Sequence, residues 1–179
     1  IINMTTKNLL PLQLLIIILA ACTRLSPHPV NFTPVLAIGL FSGFYFKNRL
    51  FSMVAPLSVM IVSDFFIGYY LISLWVYFAI ACIALLAWYI NSYIGKKYLI
   101  LSSFFSSILF FIVSNFGVWT LGGYGYSFEG LVSCYTLAIP FFFNTLASTF
   151  IYTLIFFGSY ELIAKTYMSS IASDSVIDR

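Results

Sequence analysis

Charge is what this chain has least of. Only 7% of its 179 residues are charged, where a soluble domain carries about 25%. Five residues are acidic, His28 is the only histidine, and the net charge of +3 gives no sign of a nucleic-acid partner. Nucleotide and hydrolase signatures are also missing. There is no G-x-x-x-x-G-K-[ST] loop, so ATP hydrolysis by that route is excluded, and there is no H-E-x-x-H or G-x-S-x-G. A Ser-His-Asp set would have to use His28, and no nucleophile–base pair stands out, so an enzyme is not expected. Cys22, Cys82 and Cys134 are odd in number and lack ligand spacing. They read as buried packing residues, with no disulfide, metal or other cofactor expected.

What the chain has instead is hydrocarbon: 62% of its residues are hydrophobic and the mean hydropathy is +1.04. The apolar runs are long and lack the period-2 alternation of barrel strands. The expectation is an all-α integral membrane protein, a single bundle of six transmembrane helices over residues 1–165, with a polar cytoplasmic tail at 166–179. The expected spans are about 9–25, 34–46, 50–69, 71–94, 98–121 and 130–165. Within the last, a short helix at 130–139 is expected, followed by a kink at Pro140 and a longer span over 141–165. Leu19-Ala-Ala-Cys22 behind Lys7 also resembles a lipoprotein cleavage box, which would start the mature chain at Cys22; short motifs of this kind match by chance.

The stretch Ser114–Tyr135 is the most informative. Ser114, Asn115, Gly117, Trp119 and Thr120 lie in an apolar segment, followed by a glycine-rich loop with Tyr124 and Tyr126, and then Glu129. Polar groups in hydrocarbon face the bundle interior or a cavity. Aromatics and glycines beside them permit a concave wall, so the stretch reads as one side of a small-molecule pocket. An interfacial aromatic belt with a flexible loop is the plainer alternative. Asp64, deep in its own span, needs a partner: Arg24, a ligand or a proton. The loop from Arg24 to Pro34 carries three prolines and holds His28 and Asn31; Arg24 is either a ligand contact or a snorkelling interface charge, and His28 either a ligand contact or a solvated loop residue. Gly39-x3-Gly43 and the serines at 102, 103, 106 and 107 offer small faces for helix packing or partner docking.

Basic residues set the orientation. With six spans, Lys7, Lys47, Arg49, Lys96, Lys97, Lys165 and Arg179 share one side and Arg24 is alone on the other, so both termini are cytoplasmic. If the short second segment does not cross, the bias is equally strong with the N-terminus outside. Either way Asp64, Asn115, Trp119, Tyr124, Tyr126, Glu129 and Asn144 fall toward the external face of the inner (plasma) membrane.

Several motifs in order resemble an uncharacterised bacterial family of candidate membrane transport proteins. They are Pro29-x-Asn-Phe-Thr-Pro-Val35, Ala37 to Gly43, Ser63-Asp64-x3-Gly68, Ser114-Asn-Phe-Gly-Val-Trp119, Gly130-Leu-x2-Cys134-Tyr135 and Ala138-Ile-Pro-Phe-Phe142-x-Asn144-Thr145. That family is similar in turn to the substrate-binding S components of energy-coupling factor transporters. The resemblance implies six helices, an external site for a vitamin-like solute, and docking onto a transmembrane subunit with two ATPases. The Ala-x3-Ala docking pattern typical there is not met at Ala20 and Ala21; Gly39 and Gly43, with Ser102 and Ser106, are the small residues this chain offers. The solute site expected from the polar and aromatic residues comprises Arg24, His28, Asn31, Asp64, Asn115, Trp119, Tyr124, Tyr126, Glu129, Tyr135 and Asn144, with the loop at 122–126 as a lid. The expected function is uptake of a small solute with a separate energising partner. A structural subunit of a larger membrane complex and a proton-coupled carrier using Asp64 or Glu129 are the alternatives.

Overall fold

The computed structural model describes residues 10–93 and 98–177. Among them the chain forms six helices and no strand: α1 (Leu10–Leu25), α2 (Val35–Tyr45), α3 (Arg49–Ile67), α4 (Ser73–Tyr93), α5 (Leu99–Thr120) and α6 (Phe128–Ile177). Lys7, Lys96, Lys97, Arg179 and the start of the cleavage-box reading lie outside the described residues.

Local chemistry sets the helix ends. The Asn48 side chain accepts from the backbone N–H groups of Leu50 and Phe51 at 2.8 and 3.4 Å, capping the start of α3. Gly68 follows its end with φ 114°, a conformation few other residues tolerate. Ser127 accepts from the Gly130 N–H at 3.1 Å at the start of α6. Gly122, with φ 85°, turns the chain out of α5.

The helices expected at 130–139 and 141–165 are one: α6 runs through Pro140 from Phe128 to Ile177. A proline removes one backbone donor and crowds one carbonyl, a local fault that flanking turns can absorb. The helix also continues to Ile177, within the residues read as a tail.

Helices α3, α4, α5 and the Phe128–Tyr167 part of α6 are long and apolar enough to cross a membrane; α1 and α2 are shorter apolar helices. At 1.5 Å per residue, the 11 residues of α2 extend about 16 Å. Ten of those residues are buried. A helix apolar on every face belongs in a core, and α2 touches each of the other five helices. Phe41, fully buried, meets Phe157 and Tyr160 edge-on at 5.4 and 5.6 Å between ring centroids. Such pairs add about 0.5–1.5 kcal/mol each beyond area burial. Opposite them, α4 comes so close that a Cβ on Gly43 would stand 2.5 Å from the Ala84 carbonyl and the Ala87 methyl. Gly39 meets only ordinary contact distances, so of the two glycines Gly43 alone sets the approach.

Successive helices alternate in direction. Arg24 meets Asp64, and Trp75 packs on Phe116, at what we call the upper end. Tyr45 meets Glu161, and Asn91 meets the Phe44 carbonyl, at the lower end. Lys47, Arg49 and Lys165 belong to the lower end and Arg24 to the upper.

Candidate functional site

Because α2 is short, it leaves space at the upper end between α4, α5 and α6. The α1–α2 loop closes this space from below. Asn31 there adopts φ 61°, a left-handed conformation that Asn tolerates better than most residues. The Val30 carbonyl accepts from the Asn144 amide of α6 at 3.0 Å, pinning the loop across the bundle.

The result is a cavity of about 360 Å³ lined by Val30, Asn31, Ile72, Val76, Phe110, Phe111, Ser114, Asn115, Val118, Tyr124, Cys134, Leu137, Ala138, Phe141, Phe142 and Thr145. Its size and mostly apolar walls suit a small ligand. The α5 wall repeats at 110, 111, 114, 115 and 118, and the α6 wall at 134, 137, 138, 141, 142 and 145. Both are single helical faces.

The polar groups in these walls have mostly used their donors. Asn115 donates to the Phe111 carbonyl at 2.7 Å, Ser114 to Phe110 at 2.7 Å and Thr145 to Phe141 at 3.0 Å. Their oxygens keep lone pairs as acceptors. No residue lining the cavity carries a charge.

The two buried charges at this end, Arg24 and Asp64, are tied to each other. Arg24 donates to Asp64 Oδ1 at 2.5 Å and to the Ser63 hydroxyl, and Tyr77 donates to Asp64 Oδ2 at 2.6 Å. The side chains of Arg24 and Asp64 are 13% and 5% exposed. Arg24 is thus the partner that the depth of Asp64 requires. A buried pair with both carboxylate oxygens satisfied fixes α1, α3 and α4 to one another. Removing either member would leave an uncompensated charge.

Of the eleven expected binding residues, Asn31, Asn115 and Tyr124 line the cavity. Arg24 and Asp64 form the ion pair, and Asn144 anchors the loop beneath it. Tyr135 stands beside the cavity, donating to the Ile112 carbonyl at 2.6 Å. Trp119 packs between Phe116 and Tyr126, at 5.6 and 6.2 Å between ring centroids, with its indole N–H buried and unpartnered. Tyr126 and Glu129 are exposed. His28 is exposed, its Nδ1 2.6 Å from the Ser26 carbonyl. Ser103 and Ser107 are fully buried, and Ser103 lies 3.5 Å from Thr153 of α6; Ser102 and Ser106 border a second hollow between α4 and α5.

The 122–126 loop is held close over the start of α6. A Cβ on Gly130 would collide with the Tyr124 and Gly125 carbonyls. That approach carries Tyr124 to the cavity mouth. The apolar wall residues, Phe110, Phe111, Val118 and Leu137 above all, were not singled out in the sequence. Stepping three and four residues from Ser114, Asn115 and Cys134 finds them.

Among the described residues, no group of three His, Cys, Asp or Glu side chains could hold a metal ion. A family model described as a family of unknown function (DUF6580) matches residues 4–172. No curated protein and no solved structure matches the chain.

Proposed function

We propose that this chain, which belongs to the DUF6580 family, is a membrane-embedded protein that binds a small neutral solute in the upper cavity and serves its uptake. The observation that carries this reading is the division of labour at that end of the bundle. The ion pair is complete without a ligand, while the adjoining cavity is uncharged and keeps spare acceptors. A solute with an apolar or aromatic body and N–H or O–H donors fits this chemistry. It would lie against Phe111 and Phe142, donating to Asn115 and Ser114, with Tyr124 over it.

Four membrane-length apolar helices support embedding. Lys47, Arg49 and Lys165 at the lower end support a cytoplasmic lower face, with the cavity opening outward from the inner membrane. Six alternating helices would then place both termini inside, as in the S components the motifs resemble. With no phosphate loop in the chain, uphill uptake would need a separate energising module. The proposal includes such a partner.

The test is a thermal-shift screen of the purified full chain against small neutral ring compounds, repeated with Asn115→Leu. Stabilisation by a subset of compounds, lost in Asn115→Leu, is expected. Equal stabilisation of both proteins by every binder contradicts the site. No binder at all, together with co-purification at fixed stoichiometry, favours a structural subunit. Uptake that persists without any energising ATPase and stops in Asp64→Asn favours a proton-coupled carrier.

A further inference from the structure

The second hollow, about 580 Å³, lies in the lower half of the bundle between α4 and α5, with Leu40 of α2 behind it. It shares no wall residue with the upper cavity. Ile83 and Ile90 of α4 and Leu101 and Ile112 of α5 give it an apolar surface. Tyr98, Ser102 and Ser106 are the polar residues of its wall. Ser102 is 6% exposed and its hydroxyl is enclosed without a hydrogen-bond partner. Ser103, Ser106 and Ser107 of the same helix each donate to a backbone carbonyl one turn back. A buried hydroxyl that does not do so calls for an acceptor from elsewhere.

We infer that this groove holds one acyl chain of an anionic phospholipid, with an ester carbonyl accepting from the Ser102 hydroxyl. Three features point to it. Ser102 lies three residues into α5 from Leu99, about 4.5 Å inward from the lower start of that helix, the level of an ester group just inside the headgroups. From Ser102 the groove follows α5 to Ile112, about 15 Å at 1.5 Å per residue, an apolar course suited to a hydrocarbon chain. The described charged residues at the lower end include Lys47, Arg49 and Lys165, whose charge complements an anionic headgroup. The inference rests on the membrane-embedded part of the proposed function and is independent of the solute.

The experiment uses the full chain purified in detergent, with phosphatidylglycerol or phosphatidylcholine added and followed by native mass spectrometry and thermal melting. One phosphatidylglycerol per chain is expected, with a raised Tm. Ser102→Ala should weaken that binding by about five- to tenfold, the scale of one hydrogen bond. Leu101→Trp, which fills the groove from its partly exposed rim, should abolish it. Equal binding of the two lipids, or unchanged binding in Ser102→Ala, overturns the inference. Carbonate extraction of membranes checks embedding separately: a protein released by carbonate sinks the embedding, whereas a retained protein without lipid selectivity sinks only the lipid site.

Discussion

Arg24, Ser63, Asp64 and Tyr77 share the upper end of the bundle with Asn31, Ser114, Asn115 and Tyr124, yet the two groups are wired differently. In the first, guanidinium, hydroxyls and carboxylate answer one another across three helices. In the second, the amide and hydroxyl donors of α5 turn back onto their own helix and leave oxygens facing a hollow. The difference follows from the cost of each group in a low-dielectric interior. An unpaired charge there is prohibitive, so it is neutralised within the fold. A neutral acceptor can wait for a ligand at modest cost. Adjacent residues of α4 join the groups, since Val76 lines the cavity while Tyr77 holds Asp64.

That contrast can be broken or sharpened in a series. The largest effect is expected from Asp64→Ala, which strands Arg24 and should cost about 3–5 kcal/mol by denaturation in detergent. Combining Asp64→Leu with Arg24→Met should recover most of the loss. A single mutant costing under about 1 kcal/mol would show that the pair is not structural.

Next is Gly117→Ala, which places a methyl against the Trp75 ring. Overpacking of this kind costs about 1–3 kcal/mol, and parting α4 from α5 should weaken solute binding as well. Wild-type stability and binding would mean that α4 yields freely.

Tyr124→Ala should leave stability within about 0.5 kcal/mol, as an exposed substitution does, while lowering solute affinity about tenfold. A stability loss without an affinity change would move Tyr124 out of the site and into the fold.

The smallest effect is expected from Ser102→Ala. Removing a hydroxyl that has no partner should change lipid-free stability by less than about 0.5 kcal/mol.

Much of the helical layout is legible in the sequence, because apolar length and terminal caps are local properties. The expected span at 98–121 compares with Leu99–Thr120, and the proline-rich loop from Arg24 to Pro34 with the gap between α1 and α2. The segments on either side of Pro140 form one helix because the flanking turns absorb a single lost hydrogen bond. The site was only partly legible. Polarity in an apolar stretch marks Asp64 and Asn115 alike, but nothing in the spacing says that Asp64 pairs with Arg24 while Asn115 faces a hollow. Trp119, Tyr126 and Glu129 sit beside Asn115 and Tyr124 along the chain, yet Trp119 packs on Phe116 and Tyr126 instead of lining the cavity, and Tyr126 and Glu129, beyond the turn at Gly122, are exposed. The cavity itself depends on α2 stopping short, a consequence of packing that no motif encodes.

The central claim is that the uncharged cavity, and not the ion pair, recognises the solute. Isothermal titration of a neutral binder into three proteins tests it most directly: wild type, Asn115→Leu, and the Arg24→Met/Asp64→Leu double variant. Affinity is expected to fall at least tenfold in Asn115→Leu and to stay within about twofold of wild type in the double variant. Binding that survives Asn115→Leu but is lost with the ion pair would contradict it.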